Sequence, residues 1–194
     1  MTLEELVERV RDGLNRPNLG AATIEGFARN VEGELNRALV EHPQMRRIAM
    51  WPPEDPATDE WELIPVPRDM LKLYTLRVDG GTPLRRYSQH ITMVVPGFQL
   101  YGEQFRLYPP LAVGSRAEID YGCALDPLRT GVEPNWVARM HSDVYFYGCM
   151  KEAARWQKDT PSFQVWSVEF QTRVTSLRNQ GWGEVIGSVP RVSV

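Results

Sequence analysis

Apolar residues change their spacing twice along this chain, and the order of those changes limits the folds open to it. Leu3, Leu6, Val7, Val10 and Leu14 advance by steps of three, one, three and four. After a break at "NRPNLG", Ile24, Phe27, Val31, Leu35 and Leu39 keep to threes and fours. Such steps draw one apolar stripe along a helix. Thr2 with Glu5 reads as a capping box at the start of the first helix. The second is expected over about residues 21–41, weakened by Gly26 and Gly33.

From residue 47 the repeat becomes two. "RIAMW" and "EWELI" flank the acidic, proline-rich "PPEDPATDEW" and predict a hairpin with a solvated tip, the alternative for the tip being a contact to the next subunit or to a partner such as a tail protein. Leu71, Leu73, Thr75 and Arg77 alternate up to an Asp79, Gly80, Gly81 turn, after which "PLRRY" predicts the return strand of a second hairpin. "FQLYGEQFRLYPP" predicts a third around Gly102 and Glu103. In "AEIDYGCAL", Ala117, Ile119, Tyr121 and Cys123 share one side, with Glu118 and Asp120 on the other, as in an antiparallel sheet with one wet face.

Helical spacing returns after "DPLRTGVEP", with a short turn expected around Trp136. "SDVYFYGCMKEAARWQ" predicts a helix capped by Ser142. Val144, Tyr147, Lys151 and Ala154 lie on one face, and Tyr145, Gly148, Cys149 and Glu152 on the next. A last helix begins near Pro161, carries the stripe Phe163, Trp166, Phe170, Val174 and Leu177, and is expected to stop near Gly181. Helices, strands, then helices predict an α+β fold: an N-terminal helix pair, a small central antiparallel β-sheet or hairpins, and a C-terminal helix pair. We expect one domain over residues 1–182, with helices over about 2–41 and 135–180 and the β region over 47–125. The glycine- and valine-containing tail 183–194 reads as a frayed end or as an interaction arm.

Composition narrows function mainly by exclusion. With 22 Lys and Arg against 25 Asp and Glu, the net charge of −3 lacks the basic footprint of a nucleic-acid binder. No signal peptide opens the sequence and no apolar run approaches the ~20 residues of a membrane span, which predicts a soluble protein made in a cytosol. Cys123 and Cys149, with no CxxC, read as reduced structural thiols. His42, His90 and His141 lack metal-ligand spacing. Gly181, Gly183 and Gly187 follow a helix instead of preceding one, the wrong context for a phosphate cradle. Glu4 with Glu5, and Glu32 with Glu34, read as solvated helix faces. Arg85 and Arg86 beside Tyr87 read as a strand edge, with phosphate contact as the sharper alternative. We expect no catalytic, cofactor-binding or metal-binding residues, and no cofactor. An enzyme or ligand-binding site beside Cys149 and His141 is the reading from another class.

The segment "PNWVARMHSDVYFYGCMKEAARWQKDTPSFQVWSVEFQTRVTSL" resembles the closing part of phage head-to-tail adaptor, or connector, proteins. Their pattern D-x-Y-x-Y-G-x-x-x-E-A is met by Asp143, Tyr145, Tyr147, Gly148, Glu152 and Ala153, and their W-x-x-x-F by Trp166 and Phe170. "IPVPRD" and the hairpin ending in "LYPP" are similar to the family's upstream motifs, so the likeness runs over about residues 45–178. The first two helices agree in kind only. The resemblance implies a structural role without catalysis: a dodecameric ring of this chain beneath the portal protein at the virion neck, joined to tail or stopper proteins and assembled in the host cytoplasm. It also implies genome DNA passing through the lumen without sequence-specific binding, and no membrane partner. A related neck, tail-completion or stopper protein is the alternative.

Overall fold

The computed structural model describes residues 1–52, 61–88 and 95–187, with side chains as far as residue 180. It has α1 (Leu3–Gly13), α2 (Ala21–Leu39), β1 (Arg46–Trp51), β2 (Trp61–Pro65), β3 (Met70–Val78), β4 (Arg85–Tyr87), β5 (Gly97–Tyr101), β6 (Gln104–Leu111), β7 (Ala117–Cys123), α3 (Trp136–Met140), α4 (Ser142–Trp156) and α5 (Thr160–Gly187). This is the α+β order the periodicity predicts. Met1–Met45 and the chain from Leu125 onward form one compact unit, and Arg46–Ala124 form the other.

The helical unit is built on the stripes themselves. Leu6 and Val10 of α1, Ile24, Val31 and Leu35 of α2, Tyr145 and Cys149 of α4, and Phe170 and Leu177 of α5 lie in one buried cluster. Local chemistry sets the ends. Thr2 and Glu5 make the expected capping box. Asn135 accepts from the Ala138 N–H at 3.1 Å to start α3. Asp159 accepts from the Ser162 N–H at 3.1 Å at the head of α5, and these bonds hold its carboxyl below the usual range. The cap of α4 is His141 rather than Ser142, with no side-chain hydrogen bond. α5 does not stop near Gly181 but continues to Gly187, each glycine on the way lowering helix propensity by only about 1 kcal/mol.

The strand unit departs from three successive hairpins. It holds two sheets, in the orders β1-β7-β3 and β2-β6-β5-β4. Among the described residues, β5 and β6 alone form the hairpin read from the sequence. β1 pairs with β7 while β2 pairs with β6, so "RIAMW" and "EWELI" belong to different sheets. Asp79 and Gly80 do turn the chain, both at positive φ, and the Gly81 N–H closes the turn on Val78 O at 2.9 Å. The strand that follows, β4, nevertheless joins the other sheet, parallel to β5. Gly97 permits that approach, since a Cβ there would lie 2.4 Å from Arg85 O. Inward side chains of both sheets, among them Leu76, Ile119 and Tyr121 with Ile64, Phe98 and Phe105, share one core.

Burial departs from period-two alternation along β7 at two positions, Asp120 and Gly122, both buried beside the core-facing residues. Asp120 is only 3% exposed, although it was read on the wet face. The Arg46 guanidinium on neighbouring β1 grips its carboxylate with two hydrogen bonds, one of 2.7 Å, and Arg46 is held further in its charged form by them.

Candidate functional site

α4 carries the most unusual surroundings in the chain, because charged side chains are buried beside its aromatic rings. Lys151 and Glu152 are 6% and 4% exposed. The Lys151 ammonium donates to Glu34 Oε1 at 2.5 Å, lies 3.4 Å from Glu152 Oε1, and stands 4.6 Å from the centre of the Phe170 ring. Glu152 Oε2 accepts from the Asn30 amide at 3.0 Å. Three helices thus meet around one cation. The carboxylates Glu32 and Glu34, read as a solvated pair, turn inward: Glu32 is buried and Glu34 holds Lys151.

A second polar knot ties α2 to the segment leading into α3. Glu32 Oε1 accepts from the Leu128 N–H at 2.7 Å and from the Tyr145 hydroxyl at 3.4 Å. That hydroxyl accepts in turn from the Asn135 amide at 2.8 Å, and the same amide reaches Asp126 O at 2.7 Å. Asn36 accepts from the Leu125 N–H at 2.8 Å. Burial and the nearby Glu32 carboxylate push the Tyr145 phenol far up. These bonds tie α2, α4 and α5 to one another and to the segment leading into α3.

Burial, outweighing the two hydrogen bonds, raises the Glu32 carboxyl. A folded-state carboxylate raised above its unfolded value binds its proton more tightly when folded, so its contribution to stability falls as pH rises from the ordinary glutamate range through the folded value. Glu32→Gln keeps an oxygen for Leu128 and Tyr145 and removes the charge. We expect a higher urea midpoint at pH 7 and a flatter stability profile from pH 4 upward; a lower midpoint at pH 7 would show that the charge itself is needed.

The other candidates find plain places. Cys149 is fully enclosed in the helical core, and burial raises its thiol well beyond a nucleophile's range, so it acts as the small filler expected. Cys123 is buried in the core of the strand unit. His42 stacks on Trp136 at 4.8 Å and accepts the Gln44 N–H on Nδ1, while His141 meets the same indole edge-on at 6.2 Å. His90, the acidic residues 53–60, and Val189, Val192 and Val194 lie outside the described residues. Among the described residues, no group of three or more His, Cys, Asp or Glu is placed to hold a metal ion. Arg85 and Arg86 are exposed on β4 at the end of its sheet, with Arg85 5.5 Å over the buried Tyr87 ring. Exposed apolar side chains gather elsewhere, at Ile48 and Met50 on β1 and at Val165 and Val168 on α5, as contact surfaces do.

A family model described as SU10 adaptor protein matches residues 1–190, which takes in the first two helices as well as the motif-bearing part of the chain. No curated protein matches the chain.

Proposed function

From its membership of the SU10 adaptor protein family, a family of phage head-to-tail adaptors, to which this chain belongs, we propose that it builds a dodecameric ring beneath the portal protein. Tail or stopper proteins attach on its far side, and the genome passes through its lumen without sequence-specific contact. The match across residues 1–190 carries this reading. The two units serve together as one adaptor domain, residues 1–182, placed at the virion neck after assembly in the host cytoplasm. Residues 183–194 are the arm that engages a neighbour, its first part riding on the end of α5.

Physical features support such a role. A ring subunit meets two neighbours through two different patches, and exposed apolar side chains occur on both α5 and β1. DNA affinity comes from cations that neutralise phosphates. Arg46, Arg47, Arg106, Arg139, Lys151 and Arg173 are instead paired with carboxylates of this chain. With a net charge of −3, the subunit suits a conduit that DNA slides through. Among the described residues, no helix is long and apolar enough to cross a membrane. The enzyme reading centred on Cys149 and His141 is disfavoured by the enclosure of the thiol.

Electron microscopy of the purified protein mixed with portal particles tests the proposal. We expect closed rings on the portal, and weaker binding with unchanged melting for a chain lacking residues 183–194. Protein that stays monomeric and ignores portal would overturn the adaptor reading, and rings found only on another neck layer would favour the stopper alternative. Unaltered assembly of the shortened chain would exclude the arm.

A further inference from the structure

The edge of a β-sheet is a template for another strand, and proteins blunt it with short strands, lysine, proline or bulges. Of the four edges among the described strands, three are blunted in this way. β4 has only 3 residues, and Arg85 and Arg86 are two of them. β2 ends on Pro65 and shifts register between Trp61 and Leu63. β3 carries Lys72 and shifts register twice against β7. The fourth edge is different. β1 keeps unbroken register with β7, from Arg46 opposite Gly122 to Trp51 opposite Ala117. Among the described residues no strand pairs with its other side, where alternate backbone N–H and C=O groups point away from β7.

The side chains of β1 do nothing to repel a further strand. Ala49 and Trp51 pack against the core of the strand unit. Ile48 and Met50 therefore lie on the opposite face, 62% and 39% exposed. The arginines that open the strand are turned to carboxylates of this chain, Arg46 to Asp120 and Arg47 to Asp69.

The end of the chain, beyond the described residues, suits that edge. "SVPRVSV", residues 188–194, has no acidic residue, and its Val192 and Val194 are spaced by two, as Ile48 and Met50 are. Extended, these residues span ~23 Å, against ~20 Å for the length of β1. Pro190 lacks an N–H and is admitted to an edge strand when its nitrogen is turned to solvent. That phase turns Val192 and Val194 the same way and leaves Val189, Arg191 and Ser193 to bond β1. α5 also delivers the tail clear of its own core. Leu177 is the last described α5 residue in the helical cluster, and from there to Gly187 the helix rises a further ~15 Å.

We propose that residues 188–194 of one copy add as an extra strand to the free edge of β1 in the next copy, with Val192 and Val194 beside Ile48 and Met50. Main-chain hydrogen bonds supply the affinity, and the apolar pairs set the register. Tail and edge are different patches, so the contact runs head-to-tail from copy to copy. It rests on the reading of the chain as a self-assembling adaptor and names the surface that receives the arm.

Paired cysteines test it on the full chain, mixed with portal particles so that rings form. Val192→Cys protein is combined with Ile48→Cys or with Met50→Cys protein and oxidised, Cys123 and Cys149 being buried. Disulfide geometry accepts Cα separations only up to about 7 Å. We expect a cross-linked dimer in at least one mixture, severalfold above either variant alone. Ile48→Lys protein, and a chain ending at Gly187, should lose self-association with unchanged melting. Equal cross-linking by Ile48→Cys alone would show β1 pairing with a second β1 and overturn the proposal. Intact rings without cross-links in either mixture, or rings formed by Ile48→Lys protein, would overturn it while leaving the adaptor reading standing. Absence of rings from the unmodified chain would overturn both.

Discussion

Lys151→Ala is expected to lower the stability of the helical unit by about 3–5 kcal/mol, since removing one member of a buried ion pair leaves the other uncompensated. Two carboxylates depend on this ammonium, Glu34 at 2.5 Å and Glu152 at 3.4 Å. Glu152 is the exposed-water-poor partner of the two and keeps only the Asn30 amide on its other oxygen. Alanine also removes the ammonium's contact with the Phe170 ring. Lys151→Met combined with Glu152→Gln removes both buried charges while keeping volume, and should recover most of the loss, because apolar replacement of a whole buried pair is often neutral. Urea unfolding followed by far-ultraviolet circular dichroism reads both variants. A loss below about 1 kcal/mol for Lys151→Ala, within the range of exposed pairs, would mean that water already serves the carboxylates.

The contrast between Lys151 and Cys149 marks what was legible in the sequence. Cys149, Tyr145 and Gly148 sit at helical spacing among apolar neighbours, and their burial follows from periodicity alone. Periodicity also places the Phe170, Val174, Leu177 stripe of α5 in the core with α4. Lys151, by contrast, is buried because Glu34 waits 117 residues away on α2, and no local pattern carries that information. The same blindness made Glu32 and Glu34 look solvated. A useful signal was present in the crowding of Asn30, Glu32, Glu34 and Asn36 at alternate positions of α2. Polar residues at such spacing circle a helix rather than keep to one side, so some must face neighbours.

Strand partners were hidden for a different reason. Alternation tells which face a residue occupies and is silent about which strand lies beside it. The hairpin of β5 and β6 was readable because its two-residue link leaves no other choice. Asp79 and Gly80 form a true turn, yet β3 pairs with β7 and β4 with β5, since Gly97 lets β4 approach a strand in the second sheet. Assembly was beyond periodicity altogether and entered through the order of motifs from "IPVPRD" to Trp166 and Phe170.

Phe170→Ala is expected to cost about 3–5 kcal/mol, the range for truncating a buried aromatic ring. The ring is 1% exposed and completes the wall against which α4 packs: a Cβ on Gly148 would stand 3.0 Å from its edge, and the Lys151 ammonium stands 4.6 Å from its centre. Beside it lies a groove of about 370 Å³ lined by Glu34, Arg37, Ala38, Gln171 and Val174. Truncation joins the new cavity to that groove and lets water reach Lys151. The two losses are therefore coupled, and a double-mutant cycle of Phe170→Ala with Lys151→Met should return an interaction energy of about 0.5–3 kcal/mol. Gly148→Ala should not rescue the truncated chain, because its Cβ would still meet Val31 Cγ2 at 2.7 Å and Cγ1 at 2.8 Å. Additive losses would show that ring and ammonium act independently. Rescue by Gly148→Ala would show that Val31 yields, and that the close approach of α2 and α4 is looser than these distances state.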